Sequence, residues 1–214
     1  MTCGDAHWPA AAAGVRVIAV GARPDRDELA AVLERLDGAR LVVCGTDADL
    51  AAVVLRLLRA EMLGVSVGYV PTCPSSVVAR LWSLPVAPTA AAGVALRGRP
   101  HPVPLLRDDS GGVLVGLGVV APVRGVAYCD DELVLRGQAS RLEVTPDPQR
   151  GLLVRVVRRG WLGRRVRMAA GRAVQLGCEP TGVVRDGVPR QTPDRWTWYR
   201  HTEELRLVRA HCSP

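Results

Sequence analysis

The chain of 214 residues contains no phenylalanine, no lysine and no asparagine, and isoleucine occurs only at Ile18. All 28 basic residues are therefore arginine, a bias typical of a GC-rich genome. Without lysine, neither a Walker A lysine nor a Schiff-base lysine can exist. No apolar run approaches the roughly 20 residues of a membrane span, and residues 1–13 lack the basic start and long apolar stretch of a secretory signal. We therefore expect a cytoplasmic protein with reduced thiols.

Metal-binding patterns are also missing. The six cysteines are scattered, none forms a C-x-x-C pair, and no two histidines have zinc spacing. The sequence therefore identifies no metal ligands. The hydrophobic content of 48% and mean hydropathy of +0.12 are typical of a globular protein.

Positive charge is in excess. The net charge is +7 and the isoelectric point about 9.7, which indicates affinity for polyanions or for an anionic membrane surface. One cluster, Arg155–Arg167 with Trp161 at its centre, suits a lipid headgroup layer or a nucleic acid backbone, but the favoured interpretation is a solvated hairpin with its arginines on the outer face. No aromatic-rich basic motif of an RNA-binding type occurs, so we expect no nucleic acid partner. A homodimer is left open.

The stretch Leu41–Leu50 contains an abrupt change of pattern. Leu41–Cys44 form an apolar run typical of a strand buried on both faces. After Gly45, apolar residues at helical spacing predict a helix from Asp47 to Met62 with Thr46 or Asp47 as its N-cap. A helix N-terminus behind a small-residue turn favours a bound anion, but the two carboxylates would repel phosphate unless a divalent cation bridged them. A plain structural turn is the alternative.

A second stretch, Val65–Arg80, repeats this arrangement: a strand, a breaker segment over 71–76, and a helix beginning at Val77. The sequences VVCGTDADLAAVVLRLL and GYVPTCPSSVVARLWSLP together resemble the diacylglycerol kinase and sphingosine kinase superfamily of lipid kinases. In that family a strand runs into GGDGT and a helix, and a later strand runs into P-x-G-T-x-N-D.

The resemblance implies ATP and Mg²⁺ as cofactors and a lipid hydroxyl as acceptor. It implies that Asp47, which falls on the aspartate of GGDGT, orients Mg²⁺ or the hydroxyl. Asp186, which with Gly187 matches a late D-G-E motif, is the second catalytic candidate. The resemblance places the following residues at the phosphates: Gly45, Thr46, Ala48, Asp49, Thr72, Ser75 and Ser76.

Several family positions are changed. Thr46 and Ala48 replace loop glycines, Ser76 and Val77 replace the asparagine and aspartate, and Val188 replaces the late glutamate. Losing one transition-state contact typically costs about two to three orders of magnitude in rate. The alternative is therefore a pseudokinase that acts as a lipid- or protein-binding regulatory module.

The order of elements predicts two domains. Strand and helix patterns alternate over the first 85 residues, beginning with a strand at Val15–Gly21 and a helix across Asp27–Leu36. This alternation favours a Rossmann-like parallel α/β domain over 15–88, preceded by a disordered segment over 1–14. After a proline-rich linker, short β-type runs predict a β-sandwich or barrel over 105–214, packed back on the first domain.

Two smaller features of the second domain carry predictions. The acid pairs Asp108-Asp109 and Asp130-Asp131 are flanked by turn signals and are predicted to be turns rather than chelating pairs. Trp196 and Trp198 fall on one face of a strand, which favours core packing between the domains over ligand stacking.

Overall fold

The computed structural model describes residues 1–9, 14–36, 38–160, 163–190 and 194–210. These residues divide into two compact units. The first comprises Met1–Val103 and the segment from Glu203 onward, and the second comprises Pro104–Thr202.

The first unit is built on one six-stranded sheet. Its strands are β1 (Thr2–Cys3), β2 (Ala19–Val20), β3 (Leu41–Gly45), β4 (Val67–Pro71), β5 (Arg99–Val103) and the last strand of the chain, β18 (Leu205–Arg209). Their order is β2-β1-β3-β4-β18-β5, and every pairing is parallel except that of β18 with β5. Every residue of β3 and β4 is buried, as expected for central strands covered on both faces.

Four helices connect these strands: α1 (Arg26–Leu33), α2 (Asp47–Arg59), α3 (Val77–Leu81) and α4 (Pro88–Arg97). The helix predicted from Asp47 is confirmed, with Thr46 as its N-cap and Leu50, Val53 and Leu57 buried. Helix α4 approaches β4 closely because Gly68 has no side chain; a Cβ there would lie 2.7 Å from Ala95 O.

The start of the chain differs from the disordered segment predicted over 1–14 within residues 1–9 and at 14, and residues 10–13 lie outside the described residues. Thr2 and Cys3 form β1, which lies inside the sheet between β2 and β3. Thr2 N donates to Ile18 O at 3.0 Å, and Cys44 N donates to Met1 O at 3.0 Å. The strand predicted over Val15–Gly21 is shortened to Ala19–Val20. The physical reason is that Met1, Thr2 and Cys3 are buried in the sheet, whereas Val17 is exposed.

The second unit contains two six-stranded sheets in which every pairing is antiparallel. The first, in the order β10-β9-β14-β17-β6-β7, consists of β6 (Leu106–Asp108), β7 (Val113–Leu114), β9 (Val123–Cys129), β10 (Glu132–Ala139), β14 (Ala173–Cys178) and β17 (Arg195–Arg200). The other, in the order β13-β12-β11-β8-β15-β16, consists of β8 (Gly118–Val120), β11 (Arg141–Asp147), β12 (Gly151–Gly160), β13 (Gly163–Gly171), β15 (Val183–Arg185) and β16 (Val188–Pro189).

Buried residues of both sheets form one hydrophobic core. Trp196 and Trp198 lie in it with ring centroids 5.6 Å apart. The prediction that these rings pack between the domains is therefore corrected: strand β17 is internal to its sheet, and its alternation directs both indoles into the core of the second unit.

The remaining features predicted for this unit are local. Asp130-Asp131 form the turn between β9 and β10, since Cys129 pairs with Glu132, and a turn follows Asp108. Strands β12 and β13 form the predicted hairpin, and Arg164, Arg165 and Arg167 on β13 are exposed. Trp161, at the centre of the predicted arginine cluster, lies outside the described residues.

Candidate functional site

The turn between β3 and α2 is closed by its own side chains. Thr46 N donates to Asp49 Oδ2 at 2.8 Å, the Thr46 hydroxyl donates to the same oxygen at 2.7 Å, and Asp49 N donates back to Thr46 Oγ1 at 3.3 Å. The other Asp49 oxygen accepts from Arg23 N at 2.7 Å. Asp49 is 4% exposed. This reciprocal capping box provides acceptors for Thr46 N and Asp49 N from within the chain.

Gly45 is required at this turn for a packing reason. A Cβ at position 45 would lie 2.8 Å from Asp49 Oδ2 and 3.0 Å from Asp49 Cβ. The space that a glycine leaves open for a phosphate in a nucleotide loop is therefore filled here by the Asp49 side chain. The Gly45 carbonyl accepts from Thr72 N at 2.9 Å, which ties the two turns together.

Asp47 reaches the second turn, where its carboxylate accepts from four groups. Oδ1 accepts from the Tyr69 hydroxyl at 2.9 Å and from the Ser76 hydroxyl at 2.5 Å. Oδ2 accepts from Val77 N at 2.7 Å and from Val78 N at 3.3 Å. Burial and the neighbouring Asp47 charge raise the pKa of Tyr69, so its hydroxyl stays protonated and donates. The structure thus brings Asp47 and Ser76 together, with the Ser76 hydroxyl donating to the Asp47 carboxylate.

The start of α3 is satisfied in the same way. Ser76 is its N-cap, and Ala79 N donates to Ser76 Oγ at 3.0 Å. Because Asp47 takes Val77 N and Val78 N, three backbone donors of this five-residue helix already have acceptors from the chain.

The rest of the second turn is exposed. Thr72, Cys73 and Ser75 lie at the surface, and Cys73 Sγ is 2.9 Å from Ser75 Oγ. The Ser75 hydrogen bond lowers the pKa of Cys73. Ala48 is half-buried in the first turn of α2. Of the residues predicted to contact the phosphates, only Thr46, Thr72 and Ser75 are exposed.

Asp186 lies in the second unit, in the turn between β15 and β16. It is 5% exposed, and its carboxylate accepts from Val115 N at 3.0 Å, Gly116 N at 2.8 Å and Leu117 N at 3.0 Å. The neighbouring Arg185 forms a buried ion pair with Asp108. Asp186 therefore organises the loop between β7 and β8.

Neither turn of the first unit fits a magnesium nucleotide held in the way that the family resemblance implies. Asp49 fills the space above Gly45, and Asp47 occupies the amides at the start of α3. In the part of the chain that the structure describes, no three acidic, histidine or cysteine side chains are grouped as metal ligands. None of the helices in the described ranges is both long and apolar enough to span a bilayer.

Sequence reasoning missed two features. The first is the role of Tyr69: β4 runs beside β3, and the Tyr69 hydroxyl donates to Asp47 at 2.9 Å. A cavity in the second unit, lined by Arg150, Arg172 and Arg200, was also missed. These three arginines are scattered in the sequence, so no local motif could have identified the cavity.

The fold defines a class of protein. A mostly parallel α/β unit combined with a unit of two antiparallel sheets matches solved kinase structures. A putative diacylglycerol kinase from Bacillus anthracis str. Sterne has a TM-score of 0.68 at 11% identity, over 89% of this chain and 85% of that one. A second structure, of a diacylglycerol kinase from the same organism, has a TM-score of 0.66 at 11% identity, over 89% and 84%.

An NAD kinase from Archaeoglobus fulgidus in complex with ATP has a TM-score of 0.55 at 13% identity, covering 86% of this chain and 89% of that one. At these identities the likeness shows the fold, and at that level the lipid-kinase resemblance of the sequence is confirmed. No family model and no curated protein matches the sequence.

Proposed function

We propose that this chain is a lipid-kinase-like protein that does not transfer phosphate and instead acts as a lipid- or protein-binding regulatory module. The observation that carries the proposal is the Asp47 carboxylate, which accepts four hydrogen bonds from its own chain. A carboxylate bound in this way accepts from the amides at the start of α3 and ties the two turns together. The roles of Asp47 and Asp186 in catalysis remain predictions.

Magnitudes favour this proposal. A hydrogen bond to a charged group contributes about 1.5–3 kcal/mol, and leaving buried partners unsatisfied costs a similar amount. A ligand that binds at millimolar concentration gains about 4 kcal/mol. Releasing Val77 N and Val78 N so that Asp47 could contact Mg²⁺ or a hydroxyl would therefore offset most of the binding energy of a weak nucleotide ligand.

The second candidate is ATP-dependent phosphoryl transfer to a lipid hydroxyl. It is favoured by the fold, since one similar structure is described in complex with ATP, and by the exposed hydroxyl groups of Thr72 and Ser75. Catalysis of this kind is mostly positioning and charge stabilisation. Mg²⁺ would be needed and has no identified ligands among the described residues.

The location and partners belong to the same proposal. The net charge of +7 suits a cytoplasmic protein that associates peripherally with an anionic membrane surface. Exposed arginines on β13 add to this charge.

Calorimetric titration with MgATP tests the choice between the two candidates. We expect the turns of the first unit to show no saturable binding of ATP at millimolar concentration. Saturable binding that Gly45→Val abolishes, with the circular dichroism spectrum preserved, would overturn the proposal and support a kinase. The same titration on Arg172→Ala separates nucleotide bound at the first unit from phosphate bound in the second-unit cavity, because Arg172 lies in the second unit.

A further inference from the structure

An open cavity of about 560 Å³ lies in the second unit where four chain segments meet. The segments are the turn after β9, the connection from β11 to β12, the connection from β13 to β14, and the residues after β17. This volume lies within the range of small-molecule sites, about 300–1,000 Å³.

Positive charge predominates around this cavity. Three guanidinium groups, those of Arg150, Arg172 and Arg200, line it together with one carboxylate, Asp130. Asp130 is already engaged, because its carboxylate accepts from Arg172 N at 3.0 Å and from Ala173 N at 2.9 Å. Within the described ranges, no hydrogen bond or ion pair engages the guanidinium of Arg150 or Arg172. Two cations therefore line the cavity without a partner among the residues that the structure describes.

Two glycines allow the walls of the cavity to take this shape. A Cβ at Gly151, whose φ is +105°, would lie 2.7 Å from Arg200 Cδ. A Cβ at Gly171 would lie 2.4 Å from Asp130 Oδ2. Arg200 N also donates to Arg172 O at 2.7 Å, which fixes the backbones of two of the arginines side by side.

A second basic cavity of the second unit, lined by Arg124 and Arg158, has both of these arginines engaged by the chain. Its Arg158 donates to Gln138 O at 3.2 Å and to Arg136 O at 3.1 Å, and its Arg124 is paired with Glu179 at 3.5 Å. Most of its positive charge is therefore engaged. An anion is expected to prefer the cavity with unpaired guanidinium groups.

We propose that the Arg150/Arg172/Arg200 cavity binds a phosphate monoester. The guanidinium groups of Arg150 and Arg172 bring two positive charges to the cavity that have no partner within the described ranges. Two such charges complement the dianion of a phosphate monoester better than the single charge of a carboxylate ligand. The planar guanidinium fork also matches phosphate oxygens in pairs. The monoester belongs either to a free phosphorylated metabolite or to a lipid headgroup. This proposal does not depend on the proposed function, because none of its residues lies in the first unit.

Calorimetric titration of the full chain with glycerol 3-phosphate tests the free form, and co-sedimentation with phosphatidylcholine vesicles containing phosphatidic acid tests the lipid form. Arg150→Ala and Arg172→Ala should each raise the Kd at least about tenfold, and the double variant should abolish binding. Glycerate, which carries a carboxylate instead, should bind at least about tenfold more weakly. Arg136→Ala, which removes an exposed arginine elsewhere in the second unit, is the matched control and should leave the Kd unchanged.

Binding of either probe with this pattern of losses supports the proposal, and the probe that binds identifies the source of the phosphate. The proposal is overturned if neither probe binds, if both arginine variants bind as the natural sequence does, or if Arg136→Ala weakens binding equally. Failure of MgATP to bind at the first unit has no bearing on these outcomes.

Discussion

In the first unit the charged side chains at the carboxyl ends of the central strands are acids, whereas around the second-unit cavity they are mainly arginines. The acids are engaged: Asp47 and Asp49 accept hydrogen bonds from backbone and hydroxyl donors of their own chain. The arginines are less so, because Arg150 and Arg172 lack a partner within the described ranges. A charged side chain without a partner in the chain can bind a ligand of opposite charge without first losing a hydrogen bond.

This difference teaches that position in a kinase-like fold does not by itself make a site. The turn after β3 has the backbone position of a phosphate loop, yet its first helical turn is capped internally. The ligand expected from the fold therefore has to compete with bonds that fold the chain. Among the described residues, nothing competes with a ligand of the second-unit cavity for the guanidinium groups of Arg150 and Arg172.

The largest expected effect is that of Asp186→Ala, which tests whether a predicted catalytic acid is structural. The variant leaves three backbone N–H groups of the β7–β8 loop without their acceptor and places alanine at φ +47°. We expect the free energy of unfolding to fall by about 3–4 kcal/mol, measured by urea denaturation followed by circular dichroism.

Asp186→Asn is the control for this variant. Asparagine tolerates a positive φ and keeps one acceptor oxygen, so the loss should be about half as large. An Asp186→Ala protein as stable as the natural sequence would show that the carboxylate is not needed by the loop. Asp186 would then be available for chemistry.

A smaller effect is expected for Asp47→Ala, because Asp47 is only half-buried. The variant removes the acceptor of the Ser76 hydroxyl and of two backbone amides. We expect the free energy of unfolding to fall by about 2 kcal/mol, again from urea denaturation. Binding of glycerol 3-phosphate should be unchanged, since the proposed cavity lies in the second unit.

Asp47→Asn separates charge from shape at this position, and we expect it to lose about 1 kcal/mol because Oδ1 is retained as an acceptor. If Asp47→Ala left stability intact, the carboxylate would be free to orient a metal ion or a hydroxyl. The contrast between the two units would then disappear.

The parts of the fold that the sequence predicts are those coded locally. Apolar spacing and a capping threonine define α2, and turn signals locate the β9–β10 hairpin at Asp130-Asp131. Strand β1 could not be predicted, because two residues carry no periodicity and its partners, Ala19 and Cys44, are distant in sequence. Its place is decided by tertiary packing.

In the candidate site of the first unit, too, the locally coded parts are predictable and the long-range contacts are not. The turn after β3 was predicted as a strand, cap and helix, and the structure has them. What could not be predicted is the partner of Asp47, since Ser76 and Val77 lie 29 and 30 residues away. From the sequence alone, a carboxylate that accepts hydrogen bonds from such distant residues cannot be distinguished from one that binds a metal ion.

The smallest expected effect concerns Cys73 and tests the accessible part of the first unit. The Ser75 hydroxyl lowers the pKa of Cys73, so at neutral pH the thiolate fraction exceeds that of an ordinary cysteine. Ser75→Ala should raise this pKa and slow alkylation by iodoacetamide about threefold at neutral pH. The difference should shrink as the pH rises through the ordinary cysteine pKa of about 8.5 and vanish well above it, where both thiols are fully ionised.

Mass spectrometry of the alkylated peptide gives the rate, with buried Cys129, whose pKa burial raises to about 11, as an internal slow reference. Because Cys73 lies in the turn that would contact nucleotide phosphates, a ligand there must shield it. We expect MgATP to leave the Cys73 rate unchanged. Protection by MgATP that persists in Arg172→Ala would place a nucleotide at the first unit. It would also show that a ligand can displace the hydrogen bonds of Asp47 and Asp49.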